Sequence, residues 1–563
     1  PNFIRAPSIQ DSYELALYLT QGQRAVAGFD LANATYVLSF GSGIIEGWGA
    51  PPYLFRAKAA MQQKGGTIAQ LEGRLSKTAA KADRFIPIKP GTEGALALGL
   101  IHVILKEGLY RKDILQNQTL GGDALKKLAG DAFAPEAVAS VTGVEAKAIV
   151  DLAKAFAGAK KPLAICGRGN GRQEAGNAQE FLAVHFLNAL MGSVNTAGGV
   201  IAVPEPDYID WPEPEMDAIA SKGMQQARVD GAGGKDFPLS RYLLNRLPEA
   251  IGAGASSPVQ ALFVNGANPA YSLMDTAKVE KALKKIPLIV SFSAFMDETA
   301  AMAHYILPNH VYLERFEDVP AAQGFPRPVI GLVKPVIQPL FNTRHTGDAV
   351  IQLAKAGGGN VASAFGWDSY EACLEESLGD KWDGLKEEGY WVDAKFSPAA
   401  FETKSKKFEF ANAEITQLPG YAALKAPGDE KTFPLTLVPF DTLRLAGGAV
   451  GAPPFLVKSL EETLLVKNDG FVEINPADAQ KLGLIDGADA VLSTPKGSAR
   501  VKVSVSEGIM PGLAAMVRGL GHTAYDRFLA GKGVNIHSLM GSVEAPGTGF
   551  ESAWGVRAQL TKA

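Results

Sequence analysis

The sequence predicts an α/β protein with two related, doubly wound α/β domains followed by a C-terminal β-barrel. The first observation is a pair of short apolar runs, residues 36–40 and 261–264, which read as buried parallel strands ending in glycine-containing loops. The second is a pair of ten-residue segments, TAAKADRFIP (78–87) and TAAMAHYILP (299–308). The third is a series of short strands and turns after residue 433. These patterns indicate two copies of one unit and a separate barrel.

The repeat preserves spacing as well as composition. Each Thr-Ala-Ala segment lies 33 to 37 residues after the glycine that follows its strand, from Gly41 to Thr78 and from Gly266 to Thr299. A further strand is expected between them in each copy, at residues 66–71 and 288–292. Chance similarity between two alanine-rich helix starts is the alternative explanation. A true duplication implies two facing nucleotide-like sites, or one long ligand lying across both.

These patterns divide the chain into four parts. Residues 1–30 are expected to be a remnant of an N-terminal or second α/β domain, because they start abruptly, as if an upstream domain were missing. Residues 31–157 form the first α/β domain, which resembles a dinucleotide-binding domain. Residues 158–428 form the second α/β domain. Residues 429–563 form the barrel, with one short helix at 476–482.

Composition restricts the classes of function. The 563 residues are 47% hydrophobic and 20% charged with a formal net charge of −4, which argues against a nucleic-acid binder and against disorder. No apolar run is long enough to span a bilayer. The only cysteines, Cys166 and Cys373, lack CxxC spacing, so these residues cannot hold a cysteine-ligated iron–sulfur cluster or a structural zinc ion.

Two loops are candidate ligand sites. Gly41-Ser42-Gly43 follows a strand, and small residues there let backbone N–H groups approach a phosphate; a tight turn is the alternative. Gly91-Thr92-Glu93 leads into a predicted helix at 95–108, where Glu93 could accept hydrogen bonds from a purine amine; a helix cap is the alternative. His185 is interpreted as a packed histidine within a helix. Residues His310, Glu314 and Glu317 are interpreted as exposed polar residues rather than as a metal site.

The motifs in this order resemble the molybdopterin oxidoreductase (DMSO reductase) superfamily. The barrel phrases at 472–483, 494–498 (TPKGS) and 508–512 (GIMPG) are similar to its C-terminal domain. Its central domains are similar to residues 32–49, 78–99, 188–199 and 263–314. The resemblance covers nearly the whole chain and implies a barrel of the double-psi-like type.

In that superfamily two pterin–guanine dinucleotides hold one molybdenum or tungsten, which would account for the duplicated halves. Glu72 and Arg74 stand where the superfamily usually has Asp-Pro-Arg, and Glu93 stands where it usually has Asp. Carried over by position, the cofactor-facing residues are Gly41, Ser42, Gly43, Glu72, Arg74, Gly91, Thr92 and Glu93 for one dinucleotide, and Asn265 and Asn268 for the other.

The departures from the superfamily pattern matter for chemistry. The metal-binding stretch of its sulfur-compound reductases resembles Asn-x-Cys-x-His-x-Ser-Ile-Cys, in which the last cysteine binds molybdenum. Setting its first residue on Asn2 places that ligand at Gln10. An amide is a poor substitute for a thiolate because it carries no negative charge to balance a high-valent metal. No catalytic residue and no metal ligand are therefore predicted, and the dinucleotide positions are expected to be vestigial.

A member that lacks both the metal ligand and the cluster cysteines resembles the cofactor-free molybdopterin-like subunit of the quinone reductase complex (Qrc) of sulfate reducers. That resemblance implies a structural, non-catalytic subunit of a respiratory menaquinone reductase on the periplasmic side of the cytoplasmic membrane. The implied partners are an iron–sulfur subunit, a multihaem cytochrome c subunit and an integral membrane quinone-binding subunit.

Two other readings stay open. One is an active oxidoreductase of the polysulfide or thiosulfate reductase type, with bis-molybdopterin guanine dinucleotide and molybdenum or tungsten held only by the dithiolenes. The other is an unrelated α/β protein that binds a different nucleotide.

Overall fold

The structure is a computed structural model that describes residues 2–6, 8–167, 176–206, 216–320, 323–398, 400–445 and 453–563. Its α-helices are Ile9–Gln21, Pro51–Gln63, Lys77–Ala80, Glu93–Lys106, Lys112–Asn117, Gly122–Leu128, Pro135–Thr142, Ala146–Gly158, Ala178–Leu190, Ala218–Met224, Leu247–Gly252, Pro269–Ser272, Thr276–Leu283, Thr346–Gly357, Gly359–Ser363, Tyr370–Leu378, Trp382–Glu388, Pro454–Lys458 and Pro476–Leu482.

The first sheet has four parallel strands. Their order across the sheet is Arg84–Pro87, Thr67–Glu72, Tyr36–Phe40 and Pro162–Cys166. The central strands are buried almost throughout, as expected when helices cover both faces of a parallel sheet. The sheet continues past the predicted domain boundary between residues 157 and 158, because Pro162–Cys166 pairs with Tyr36–Phe40. From sequence that strand resembles the start of a new unit, since it too is followed by glycines.

The core around this sheet draws on distant parts of the chain. Helix Ile9–Gln21 packs against helix Ala178–Leu190, and Tyr13 donates a hydrogen bond to the carbonyl of Cys166 at 2.9 Å. Strand Val26–Phe29 pairs antiparallel with Val200–Val203. The segment predicted to be the N-terminal remnant is thus part of this core.

A late segment of the chain also belongs to this core. Strand Phe408–Glu409 pairs in parallel with Thr119–Leu120, and Phe408, Phe410 and Leu418 are buried in the same hydrophobic cluster as the sheet. We call residues 9–206 together with 401–421 the first unit. The remaining domain limits given above stay predictions.

The second unit, residues 244–357, contains the other copy of the repeat. Strands Ala261–Val264, Leu288–Ser291 and Tyr305–Ile306 form a three-stranded parallel sheet in that order. One face packs on helices Leu247–Gly252 and Thr276–Leu283. The repeat is confirmed at the level of topology, because the first three strands of the first sheet are also parallel and lie side by side in the order in which they follow along the chain. A three-stranded sheet of Glu317–Pro320, Val329–Val333 and Tyr390–Val392 follows.

The C-terminal part is a closed six-stranded barrel, as predicted. The strands follow one another around it as Asp469–Ile474, Gly497–Val505, Asp489–Thr494, Val556–Lys562, Leu435–Phe440 and Leu513–Val517, and the last pairs back with the first. Strand Leu465–Val466 is appended at Asp469–Ile474. The predicted short helix is Pro476–Leu482. No helix among the described residues is both long and apolar enough to cross a bilayer.

Candidate functional site

The topology gathers the predicted site residues at two sheet edges. Parallel strands bring their carboxyl ends to one edge of the first sheet. Glu72 is the last residue of its strand, and Gly41-Ser42-Gly43, Arg74 and Gly91-Thr92-Glu93 follow strands at that same edge. Asn265 and Asn268 follow strand Ala261–Val264 at the corresponding edge of the second sheet. The strand order thus brings these residues to two related sheet edges, while their role as dinucleotide contacts stays a prediction.

The glycine loop after the first strand is packed by its own surroundings. Gly41 has a positive φ of 69°, which glycine adopts without strain. Ser42 is fully buried; its hydroxyl lies 2.5 Å from that of Ser39, and its carbonyl accepts a hydrogen bond from Gln70 at 3.1 Å. A Cβ on Gly167 would lie 2.2 Å from the Cα of Ser42, so two strand ends meet here backbone to backbone.

Glu72 is a buried carboxyl group that serves the local fold. It accepts hydrogen bonds from the backbone N–H of Ser76 at 3.0 Å and from Gln70 at 3.4 Å. Burial raises the pKa of Glu72 to about 7, because the charged form is desolvated and these hydrogen bonds only partly compensate. Ser76 in turn caps helix Lys77–Ala80 by accepting from the N–H of Ala79.

Arg74 is directed at the barrel. Its Nε donates to Glu473 at 2.7 Å, and its guanidinium lies 3.8 Å from the centroid of the Phe440 ring. Its backbone forms an isolated bridge with Ile509. These contacts join the first unit to the barrel through an ion pair and a cation–π contact.

Aromatic rings lie directly on the loop at residues 91–94. Gly91 has a positive φ, and a Cβ there would lie 2.4 Å from the indole of Trp554. A Cβ on Gly94 would lie 2.4 Å from the ring of Tyr421. Thr92 donates its hydroxyl proton to the carbonyl of Lys89 at 2.6 Å, and Glu93 is 1% exposed. Aromatic side chains of the protein therefore fill the space beside this loop.

Asn268 at the second edge is an internal structural residue. Its Oδ1 accepts from the hydroxyl of Thr299 at 2.7 Å and from its N–H at 3.2 Å, while its Nδ2 donates to Glu298 at 2.7 Å. In the first unit Glu46 holds Thr78 in the same way, through its hydroxyl at 2.8 Å and its N–H at 3.0 Å. The repeated threonine is thus anchored in both copies by a side chain that follows the first strand.

Glu298 links the second unit to the barrel. It accepts from Nδ1 of His522 at 3.1 Å and from the N–H groups of Thr523 and Ala524. Although burial opposes ionisation, the hydrogen bonds from His522 and Asn268 lower the pKa of Glu298 to about 2. The imidazole of His522 stacks on Tyr271 with centroids 3.8 Å apart.

Asn265, by contrast, lines an open cavity of about 280 Å³. Other lining residues are Asn309, His345, Thr346, Trp367 and Tyr370. The hydroxyl of Thr346 donates to Oδ1 of Asn265 at 3.2 Å. His345 stacks on Tyr370 and its Nδ1 accepts from the N–H of Gly347, which leaves the proton on Nε2.

Gln10 lies in the first turn of helix Ile9–Gln21, and its amide donates to Glu205 at 3.2 Å. Among the described residues no group of three or more His, Cys, Asp or Glu side chains is arranged to hold a metal ion. His185 is a packed core histidine, as predicted: it contacts Gln21, and burial lowers its pKa to about 3.

The residues of the first unit fit a pterin–guanine dinucleotide poorly. Trp554 and Tyr421 cover the 91–94 loop, Glu72 is used in capping, and Arg74 is paired with Glu473. Asn268 in the second unit is likewise used internally. The Asn265 end of the second edge, in contrast, opens onto a cavity.

Sequence reasoning missed several residues that decide this outcome. Trp554 and Tyr421 reach the 91–94 loop from far along the chain, and no local pattern marks them. Glu46 was visible, since it lies in the glycine-rich phrase 32 residues before Thr78, as Asn268 lies 31 residues before Thr299. Glu298 and Asp297 adjoin the second Thr-Ala-Ala segment, and their acidity was a usable signal.

Comparison with solved structures shows the fold of the chain. The structure of acetylene hydratase from Pelobacter acetylenicus superposes with a TM-score of 0.82 at 20% identity, covering 99% of this chain and 81% of that one. At that identity the likeness establishes the fold.

The sequence comparisons give the family. The model of the molybdopterin oxidoreductase family matches residues 8–356, and that of the molydopterin dinucleotide binding domain matches residues 457–552. The menaquinone reductase molybdopterin-binding-like subunit of Nitratidesulfovibrio vulgaris is 33% identical over 96% of this chain and 73% of its own length. The arsenate respiratory reductase molybdopterin-containing subunit of Chrysiogenes arsenatis is 24% identical over 92% of this chain and 74% of its own length. The chain belongs to the molybdopterin oxidoreductase family.

Proposed function

We propose that this chain is a cofactor-free structural subunit of a membrane-associated respiratory menaquinone reductase complex. The carrying observation is that Trp554 and Tyr421 contact the 91–94 loop. Side chains packed against this loop leave no space there for a dinucleotide. The similarity to a molybdopterin-binding-like subunit of a menaquinone reductase supports the same assignment. Gln10, at the expected ligand position, offers an amide already bonded to Glu205.

The proposed complex works in sulfate respiration on the periplasmic side of the cytoplasmic membrane. A multihaem cytochrome c subunit delivers electrons, an iron–sulfur subunit transmits them, and an integral membrane subunit passes them to menaquinone. This chain would orient the electron-carrying subunits and carry no electrons itself. Its large cores and interlocked segments suit that role, since a rigid scaffold holds redox centres at constant separation.

The test is elemental analysis of the purified assembly for molybdenum and tungsten, together with a pterin assay after oxidation of the same sample. The proposal predicts neither metal nor pterin above background in an assembly that reduces menaquinone. About one metal and two pterins per chain would overturn it.

The cavity beside Asn265 favours a second candidate, an active molybdenum or tungsten bis-pterin-guanine-dinucleotide oxidoreductase of the polysulfide or thiosulfate reductase type. The second edge is open there, and relatives include molybdopterin-containing reductase subunits. The bound cofactor would supply oxygen-atom or sulfur-atom transfer chemistry. This candidate requires Trp554 and Tyr421 to move away from the 91–94 loop when the cofactor binds. Added cofactor should therefore change the rate at which Trp554 is chemically modified.

A further inference from the structure

One face of the three-stranded parallel sheet of the second unit is exposed at its two edge strands, and we call it the open face. The register aligns Phe263, Val290 and Tyr305 in one row across the three strands. Phe263 and Tyr305, at the two edges of this row, are more than half exposed, whereas Val290 between them is 6% exposed. Parallel sheets are ordinarily covered on both faces, since their strands are apolar on both sides. The opposite face of the sheet, with Ile289 at its centre, is buried against helices.

The open face continues into two neighbouring segments beyond the last strand. The segments are held together by backbone hydrogen bonds from Val336 to Leu313 at 2.8 Å and from Arg344 to Pro308 at 3.0 Å. We call the exposed residues of these segments the apolar surface. It consists of Tyr305, Leu307, Tyr312, Val336, Leu340 and Phe341, which are 42% to 79% exposed.

The apolar surface carries no ionic groups. Neither residues 305–313 nor residues 335–343 contain Asp, Glu, Lys or Arg. The charged residues at its border have internal partners. Glu314 accepts from the N–H groups of Val311 and Leu340, and Lys334 donates to the carbonyls of Lys386 and Glu387. Two further border residues, Arg315 and Arg344, donate to Glu317 and Gln352. Surfaces that bind anionic membranes usually present basic side chains that are free to reach lipid headgroups, so a border whose basic groups are bonded within the chain favours a protein partner.

The area fits a protein interface. If each large side chain offers about 200 Å², the apolar surface exposes on the order of 700 Å². The largest apolar patch of a typical monomer is about 300–600 Å², and each side of a stable interface contributes about 800 Å². In the first unit, by comparison, the exposed large hydrophobic residues among those described are scattered singly along the chain, as Phe55, Leu75, Leu120 and Val141.

We propose that the apolar surface of the second unit is the docking site for a different protein subunit, which presents an uncharged apolar face to it. This inference rests on the proposed function in one respect, namely that the chain works within an assembly. Because the contact is not ionic, its strength should be insensitive to salt.

The experiment compares Phe341→Ser and Val336→Ser with Ile485→Ser, an equally exposed apolar residue of the barrel at 75% exposure. Each tagged chain is expressed in the native host, and the assembly is purified at about 0.1 M and about 1 M salt. We expect the surface variants to lose at least about tenfold of the co-purified subunits at both salt concentrations. The Ile485→Ser chain should retain them. Thermal unfolding of each isolated chain reports whether it folds.

Hydrogen exchange on the unmodified chain tests the docking site without any substitution, so misfolding of a variant cannot affect the result. Residues 305–313 and 335–343 should exchange more slowly in the assembly than in the isolated chain. Equal exchange, or full retention of partners by both surface variants, would overturn the proposal. So would sedimentation showing that Phe341→Ser abolishes a homodimer of the isolated chain, or loss of binding to phosphatidylcholine–phosphatidylglycerol vesicles in that variant. Detection of metal and pterin would remove the cofactor-free function but leave this docking test intact.

Discussion

The two α/β units share a strand order and differ in what covers them. In the first unit, helices bury both faces of the sheet, and aromatic rings from distant segments lie on its 91–94 loop. In the second unit, one sheet face is exposed at both edge strands, and the carboxyl edge opens onto a cavity of about 280 Å³. Two copies of one strand order can thus differ in accessibility. Other segments of the chain bury the first copy, and they leave part of the second copy exposed. The following substitutions test that contrast, beginning with the largest expected effect.

Matched glycine substitutions should separate the closed loop from the open one. Gly91→Ala places a methyl group against Trp554 and keeps a positive φ of 80°, whereas Gly266→Ala has a φ of 61° and nothing within 4 Å. We expect Gly91→Ala to reduce the free energy of unfolding by about 4 kcal/mol, from overpacking plus left-handed strain. Gly266→Ala should lose only about 1–2 kcal/mol, from strain alone. Equal losses in denaturant titrations would contradict the closed character of the first loop.

Glu72→Gln tests the burial of the first edge through pH. The pKa of Glu72 rises from 4.5 to about 7 on folding. The folded chain therefore holds this proton more tightly than the unfolded chain, and the resulting stabilisation is complete below about pH 4.5 and lost as the pH rises through about 7. Glutamine cannot ionise, so the variant should gain about 3 kcal/mol relative to the natural chain between pH 5 and pH 8. Glu388→Gln, at an exposed position, is the control, and a parallel response of both variants would rule out a buried Glu72.

The two predicted asparagines of the second edge should differ in their contribution to stability. Asn268→Ala removes the anchor of Thr299 and a donor to Glu298, and we expect a loss of about 2 kcal/mol in unfolding free energy. Asn265→Ala removes one hydrogen bond at an exposed site and should lose less than about 1 kcal/mol. Chemical denaturation of both variants measures the difference. A larger loss for Asn265→Ala would mean that the cavity wall, rather than the threonine anchor, holds this edge together.

Gln10→Cys should have the smallest effect. Gln10 makes one exposed hydrogen bond to Glu205, so replacement should change the free energy of unfolding by less than about 0.5 kcal/mol. If the chain is a scaffold, assembly and menaquinone reduction stay unchanged as well. The measurements are the yield of purified complex and its turnover. Metal retained by the Cys variant but absent from the natural chain would show a cofactor channel that is still open.

Much of the fold was predictable because its signals are local. The apolar runs at 36–40 and 261–264 became parallel strands, and the two Thr-Ala-Ala segments became short helical turns before the third strand of each sheet. The barrel and its helix Pro476–Leu482 followed from alternation and turns. The domain limits were harder, since Pro162–Cys166 looks locally like a first strand yet joins the first sheet as a fourth.

The position of the candidate site residues in the fold was predictable from the sequence, but their contacts were not. Strand order is enough to bring Glu72, Arg74 and the 91–93 loop to one edge, because parallel strands all end on the same side. The partners of those residues come from segments hundreds of positions away: Glu473 for Arg74, Trp554 for Gly91 and Tyr421 for Gly94. No periodicity or spacing encodes such contacts.

The sequence alone determined the duplicated α/β architecture, the barrel, the family resemblance and the lack of a charged ligand at Gln10. These features depend on residue type and short-range order, which determine strand, turn and helix formation. Only the tertiary structure decided that the first edge is closed and that the second unit keeps an open sheet face. Those outcomes depend on which distant side chains fill a given volume, and close packing is settled only when the whole chain has folded.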